Sequence, residues 1–203
     1  MGEALPLDAL LAARTVWSAA RRVPARADGE PTGHAALDAA LPQGGWPRRA
    51  LSELLLPAAG VGELSLLLPA LARLTAAGQP VVLVAPPCVP YAPAWQAAGV
   101  DLAWLQVVEA VPRDALWAFE QCLRSGACAA VVGWPQSADE RALRRLQVAA
   151  DSGDCCAFAL RDRRHAANPS PAALRLEWAH GAWHVRKCRG GRVPSQPVQL
   201  GAH

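Results

Sequence analysis

ALSELLLPAAGVGELSLLLPALARLTAAGQPVVLV, residues 50–84, is the stretch from which the fold is read. Residues 50–56 are apolar apart from Ser52 and Glu53 and read as a strand. A glycine-bearing turn follows, then a leucine-rich helix over 64–77 and a valine-rich strand over 80–85. Two strands with little charge, separated by a helix, are what a parallel sheet covered on both faces requires. Downstream the alternation continues. A loop passes through Pro86, Pro87 and Pro90, and the pattern then predicts a helix at 91–98, a strand at 105–108, a helix at 113–125, a strand at 129–132, a helix at 138–150 and a strand at 155–160. An irregular basic stretch occupies 161–171. In LRLEWAHGAWHV, residues 174–185, Leu174, Leu176 and Trp178 alternate with Arg175 and Glu177, so the chain ends in an antiparallel hairpin turning at His180 and Gly181. Upstream, residues 7–22 place Leu7, Leu10, Leu11, Trp17 and Ala20 at helical spacing, ahead of a proline- and glycine-rich connector over 23–31. The expected organisation is an N-terminal helix and linker at 1–30, an α/β core at 31–188 and a flexible basic tail at 189–203.

The 203 residues suit one substantial core, and 52% apolar against 18% charged content excludes a wholly disordered chain. The longest apolar region, 54–72, is cut by Pro57, Glu63 and Pro69, so no membrane span is expected. The opening MGEALPLDALLA carries Glu3 and Asp8 and no cationic leader, from which cytoplasmic residence is expected. Six cysteines include no Cys-x-x-Cys pair and read as core or incidental thiols. His180 and His184 flank the hairpin glycine, and no metal is expected there. Charge is uneven: residues 1–134 hold nine Lys/Arg against eleven Asp/Glu, and residues 135–203 hold eleven against six. Nineteen of the twenty basic residues are arginine, and the single lysine is Lys187. Chemistry that needs a lysine elsewhere is excluded.

A strand, a glycine turn and a helix form the layout in which backbone amides and a helix N-terminus cradle phosphate. Set on the pattern G-x-x-x-x-G-K-[ST], the turn PAAGVGEL puts Pro57 at the first glycine, Gly62 at the second, Glu63 at the lysine and Leu64 at the hydroxyl residue, with Gly60 between. The cation for the phosphates and the hydroxyl for Mg²⁺ are both replaced. At an effective dielectric constant of about 20, like charges about 4 Å apart repel by roughly 4 kcal/mol, so Glu63 is expected to bar a triphosphate. The strand over 129–132 runs into Gly133, Trp134 and Pro135 rather than a metal-binding aspartate, and the strand through Val84 runs into Ala85, Pro86 and Pro87 rather than an acidic base. No catalytic residue, cofactor or metal site is expected.

Thr32, Gly33, Leu37, Asp38, Gly44, Gly45, Pro47 and Glu53 fall in step with the start of the RecA core, and the order of segments through ALRRLQVAADSGDCCAFAL continues the likeness over about 31–199. The chain therefore resembles the RecA-like P-loop NTPases. Within that group the degenerate turn and the phrases LVAPPCVPYAPA and LRSGACAAVVGW resemble the ImuA family, also called SulA-like. The resemblance implies a non-catalytic subunit of SOS-induced error-prone translesion DNA synthesis. Its implied partners are an ImuB-type Y-family-like protein and an error-prone polymerase assembly, with a RecA filament or self-association as further contacts. Two alternatives stay open: a SulA-like inhibitor of cell division, and an atypical ATPase of the RecA class.

By position, the stretch 161–171 corresponds to the recombinase's second DNA loop, which makes Arg161, Arg163, Arg164 and His165 the candidates for weak, sequence-blind phosphate contact. No aromatic residue interleaves with them to stack on bases. Arg141, Arg144 and Arg145 read mainly as a solvated helix face. For a protein partner the candidates are Arg186, Lys187, Arg189, Arg192 and Val193, with Trp17, Trp46, Trp134 and Trp183 as aromatic anchors should they be exposed.

Overall fold

The computed structural model describes residues 29–58 and 60–199. The helix expected at 7–22, with Trp17, lies outside the described residues. Seven strands form one sheet: β1 (Ala50–Leu56), β2 (Val81–Val84), β3 (Leu105–Val108), β4 (Ala130–Gly133), β5 (Cys156–Asp162), β6 (Leu174–Ala179) and β7 (Ala182–Cys188), in the order β3-β2-β4-β5-β1-β6-β7. Every pairing is parallel except β6 with β7. Helices α1 (Ala35–Ala40), α2 (Glu63–Ala76), α3 (Ala92–Ala97), α4 (Pro112–Arg124) and α5 (Glu140–Ser152) account for the regular connections. The protein is thus α/β with a mostly parallel sheet, and the expected elements are present with boundaries shifted by one or two residues. No helix among the described residues is long and apolar enough to cross a membrane.

Period-two alternation divides the apolar strands between two cores. Val81, Leu83, Val132, Phe158 and Leu160 face α2, whose Leu66, Leu67, Ala70 and Leu71 complete that layer. Val82, Val84, Val131, Ala157 and Ala159 face α4 and α5 through Phe119, Leu123, Leu143 and Leu146. The alanines at 157 and 159 let α5 lie close, while the bulk on β5 points to the other side. Strands β1, β2 and β4 are buried along their whole length, which is why their sequences run apolar without alternation.

The residues ahead of β1 brace the entry to the sheet. The Thr32 amide donates to Asp38 Oδ1 at 2.8 Å. Gly33 has φ 85°, and a Cβ there would sit 2.3 Å from Pro69 Cβ, so the turn can pass over the α2 proline only as glycine. Glu30 pairs with Trp46 across an isolated antiparallel bridge and takes Arg73 Nη2 at 2.6 Å.

At the far edge, Ala179 opposes Ala182, leaving a two-residue turn in which His180 (φ 52°) and Gly181 (φ 75°) are both left-handed. That mirror-image turn follows the right-handed twist of its strands. The segment after β7 departs from the expectation of a flexible tail. Val198 N–H donates to Trp183 O at 2.8 Å and its side chain is buried in the same core cluster as Trp183, because an apolar residue returning to the open β7 edge satisfies a free carbonyl. Residues 200–203 lie outside the described residues.

Candidate functional site

Strand β1 delivers the chain into the turn at 57–62, and α2 begins at Glu63. Gly60 (φ 80°) and Gly62 (φ 92°, ψ 14°) are left-handed, and Gly62 is the N-cap. The turn's sharpness is therefore set by glycine. Glu63 does not extend into solvent. It is 4% exposed, and its Oε1 accepts the Gly60 N–H at 2.9 Å. Its Oε2 is buried without a hydrogen-bond partner among the described residues. A negative group at this end of a helix is favoured by the aligned peptide dipoles. Leu64, where a metal-holding hydroxyl would stand, packs against the core.

After β2, Ala85 takes a left-handed φ of 47° and donates to Val108 O at 2.8 Å before Pro86 and Pro87. At the end of β4, a Cβ on Gly133 would lie 2.7 Å from the Phe119 ring, so Phe119 excludes any longer side chain there. Among the described residues, no three His, Cys, Asp or Glu side chains converge as a metal would need.

The sequence reading missed the ion triad beneath these loops. Glu53, with 0% exposure, receives Arg161 Nη1 on Oε1 at 2.7 Å and Arg175 Nε on Oε2 at 2.8 Å. Arg161 also donates to the carbonyls of Pro135 and Ala138. Arg175 donates to those of His165, Ala166 and Asn168. The carbonyls around the triad belong to loops, and loop carbonyls without ladder partners need donors from side chains. The signal lay in the sequence: Glu53, Arg161 and Arg175 each interrupt a strand on the same face, and a charge inside an apolar strand is rarely buried unpaired.

Arg161 was expected at the DNA and is corrected here. It ends a fully buried run of β5, is 2% exposed and has its guanidinium committed to Glu53 and two carbonyls. Arg163 and Arg164 are exposed on a single 3₁₀ turn, capped by Asp162 Oδ1 accepting the Arg164 N–H at 2.8 Å. His165 is half-buried beside them, and burial, then the charges of Arg161 and Arg164, hold its pKa below the usual value.

No family model matches this chain, and no curated protein matches it. Among the solved structures similar to it is the crystal structure of SulA from Pseudomonas aeruginosa, 25% identical, with 54% of this chain and 96% of that chain covered and a TM-score of 0.47.

The residues expected to meet a partner are dispersed. Arg186 pairs with Glu177 at 3.3 Å. Lys187 Nζ donates to Ser170 O at 2.7 Å and Arg189 Nη2 to Pro171 O at 3.0 Å, so both clasp the loop before β6. Burial, then the charges of Arg189 and Arg175, lower the Lys187 pKa. Arg192 and Val193 stay exposed. Trp46 and Trp183 are core residues and Trp134 is half-buried, which removes them as surface anchors. Among the described residues the exposed aromatics are instead Tyr91, at 70%, Trp117, at 65%, and Trp104, at 40%. Near them a crevice of about 1190 Å³ opens at the carboxyl ends of the strands, lined by Pro86, Pro87, Val107, Leu116 and Trp134 with Arg164 among its few charges. Arg141, Arg144 and Arg145 are exposed on α5 while Leu143 and Leu146 are buried. The thiols of Cys155 and Cys156 are pushed up by burial, that of Cys156 to about 12, which leaves them poor nucleophiles.

Proposed function

We propose that the chain is a non-catalytic, RecA-like accessory subunit of SOS-induced translesion DNA synthesis, of the ImuA kind, acting through contacts with an ImuB-type Y-family-like protein and its polymerase assembly. The observation that carries the non-catalytic part is the Glu63 carboxylate, which lies on the Gly60 amide at the point where an ATPase of this layout presents a cation to phosphate. The translesion role and the partner rest on the motif order of the sequence. Purified chain is expected to consume no MgATP and to be retained by immobilised ImuB-type protein equally with and without nucleotide. Steady turnover that survives further purification overturns the first part. Failure of capture, or retention by the tubulin-like division GTPase instead, overturns the second.

The weak DNA contact proposed for this subunit falls to Arg163 and Arg164, since both guanidinium groups reach solvent. Replacing either with alanine is expected to weaken binding of all sequences alike and to reduce the slope of log K against log salt by about one. Fluorescence anisotropy over a salt series on single-stranded DNA measures this. Replacing Arg161 is expected to act through folding, visible as a lowered melting temperature without DNA.

A further inference from the structure

We infer that the small cavity at the amino ends of β1 and β6 is a site for a phosphoryl dianion, held by Arg48, Arg49 and Arg189. Its volume is about 280 Å³, and its lining includes Ala50, which begins β1, and Ala173, which precedes β6. It lies at the end of the sheet opposite the β1–α2 turn, and nothing in the proposed function bears on it. Two segments far apart in sequence supply the cations, since Arg48 and Arg49 lead into β1 and Arg189 follows β7. Asp151 is the single carboxylate in the lining, so three guanidinium groups against one carboxylate leave two positive charges unmatched. Glu30, 3.8 Å from Arg48, is already held by Arg73 at 2.6 Å. A dianion is the matching ligand, and the guanidinium fork fits phosphate oxygens two at a time. Most of the donors are unengaged among the described residues. Arg49 uses its Nε, on Asp151 at 3.1 Å, and Arg189 its Nη2, on Pro171 O at 3.0 Å, while the Arg48 guanidinium makes no hydrogen bond. The backbone supplies the second observation. Arg49 has φ 56°, a left-handed conformation that costs energy in any residue with a Cβ. Gln147 on α5 holds it there, its Oε1 accepting the Leu51 N–H at 3.1 Å and its Nε2 donating to Arg49 O at 3.4 Å. Strain kept in place by its surroundings is a mark of ligand clamps, whereas a merely solvated arginine reaches water equally well from a relaxed backbone.

The full chain is titrated with sodium phosphate, above the second pKa of the ion, against sodium chloride of equal ionic strength. The melting midpoint and the amide resonances of Gly45 and Gly190, both in the cavity lining, are followed. In wild type the midpoint is expected to climb with the logarithm of phosphate concentration and not with chloride, and the two resonances to shift and saturate together. Arg49→Gly, which suits the left-handed backbone, and Arg189→Gln are each expected to weaken phosphate binding by about tenfold or more, the loss of one hydrogen bond to a charged group. Arg113→Gln, which removes an exposed arginine outside the cavity, is expected to bind as wild type does. Glycerol phosphate distinguishes the source of the phosphoryl group: tighter binding than phosphate supports a small organic phosphate as ligand, and equal or weaker binding supports the free ion. A wild type that answers both salts alike, shifts confined to the β1–α2 turn or to Arg163 and Arg164, cavity variants that bind as tightly as wild type, or an equal loss in Arg113→Gln overturns the assignment. Should a cavity variant be unfolded in chloride, the wild-type resonances alone decide. No arm contains nucleotide, nucleic acid or a protein partner, so failure of the proposed function would leave the phosphate result readable.

Discussion

Glu53→Ala is expected to cost about 3–5 kcal/mol of unfolding free energy, the range for removing one partner from a buried ion pair. Both guanidinium groups on Glu53 are almost fully buried, so the substitution strands two cations with no carboxylate between them. Urea denaturation measures the loss, with an unchanged m-value marking it as one of stability rather than compactness. Glu177→Ala is the control: its partner Arg186 is half exposed, and such pairs contribute about 0–1 kcal/mol. Apolar replacement of a whole buried triad is often neutral or stabilising. Here the two arginines also serve five loop carbonyls, and those carbonyls would lose their donors. The triple apolar variant is therefore expected to stay less stable than wild type. A Glu53→Ala protein within about 1 kcal/mol of wild type would show that the triad lends no net support.

Trp46→Ala is expected to cost about 3–5 kcal/mol, the usual range for truncating a buried aromatic. The indole is fully buried, and its ring meets Phe158 edge to face with centroids 5.1 Å apart at 83°. Trp46→Phe tests the reason. It keeps an aromatic ring and deletes an indole N–H that has no partner among the described residues, so its cost should be much the smaller. Thermal unfolding of the two variants distinguishes packing from polar loss, and equal costs would refute the packing account.

The order of elements was legible because burial on both faces writes itself as uncharged runs such as Val81–Val84. The hairpin was legible from the alternation in β6 and from a histidine and a glycine where two left-handed residues are needed. Glu63 was legible as the wrong charge for phosphate, but its inward rotamer was not, since one residue code serves both an exposed and a folded-back carboxylate. Arg161 was misplaced for a related reason. Its neighbours Asp162, Arg163 and Arg164 made a charged run that looked like one solvated loop, whereas the strand continues to Asp162 and turns Arg161 towards Glu53. Tryptophan was ambiguous throughout: Trp46 and Trp117 read alike in composition, and only the packing makes one a core residue and the other a surface residue.

The Val198 bridge has a practical side. It pins the chain's last described stretch to β7, the rim opposite β3, and six strand spacings separate those rims by about 29 Å. A biosensor chip or bead that grips a handle attached beyond Val198 therefore holds the molecule by one edge of the sheet and leaves the opposite edge, β3, out in the flow.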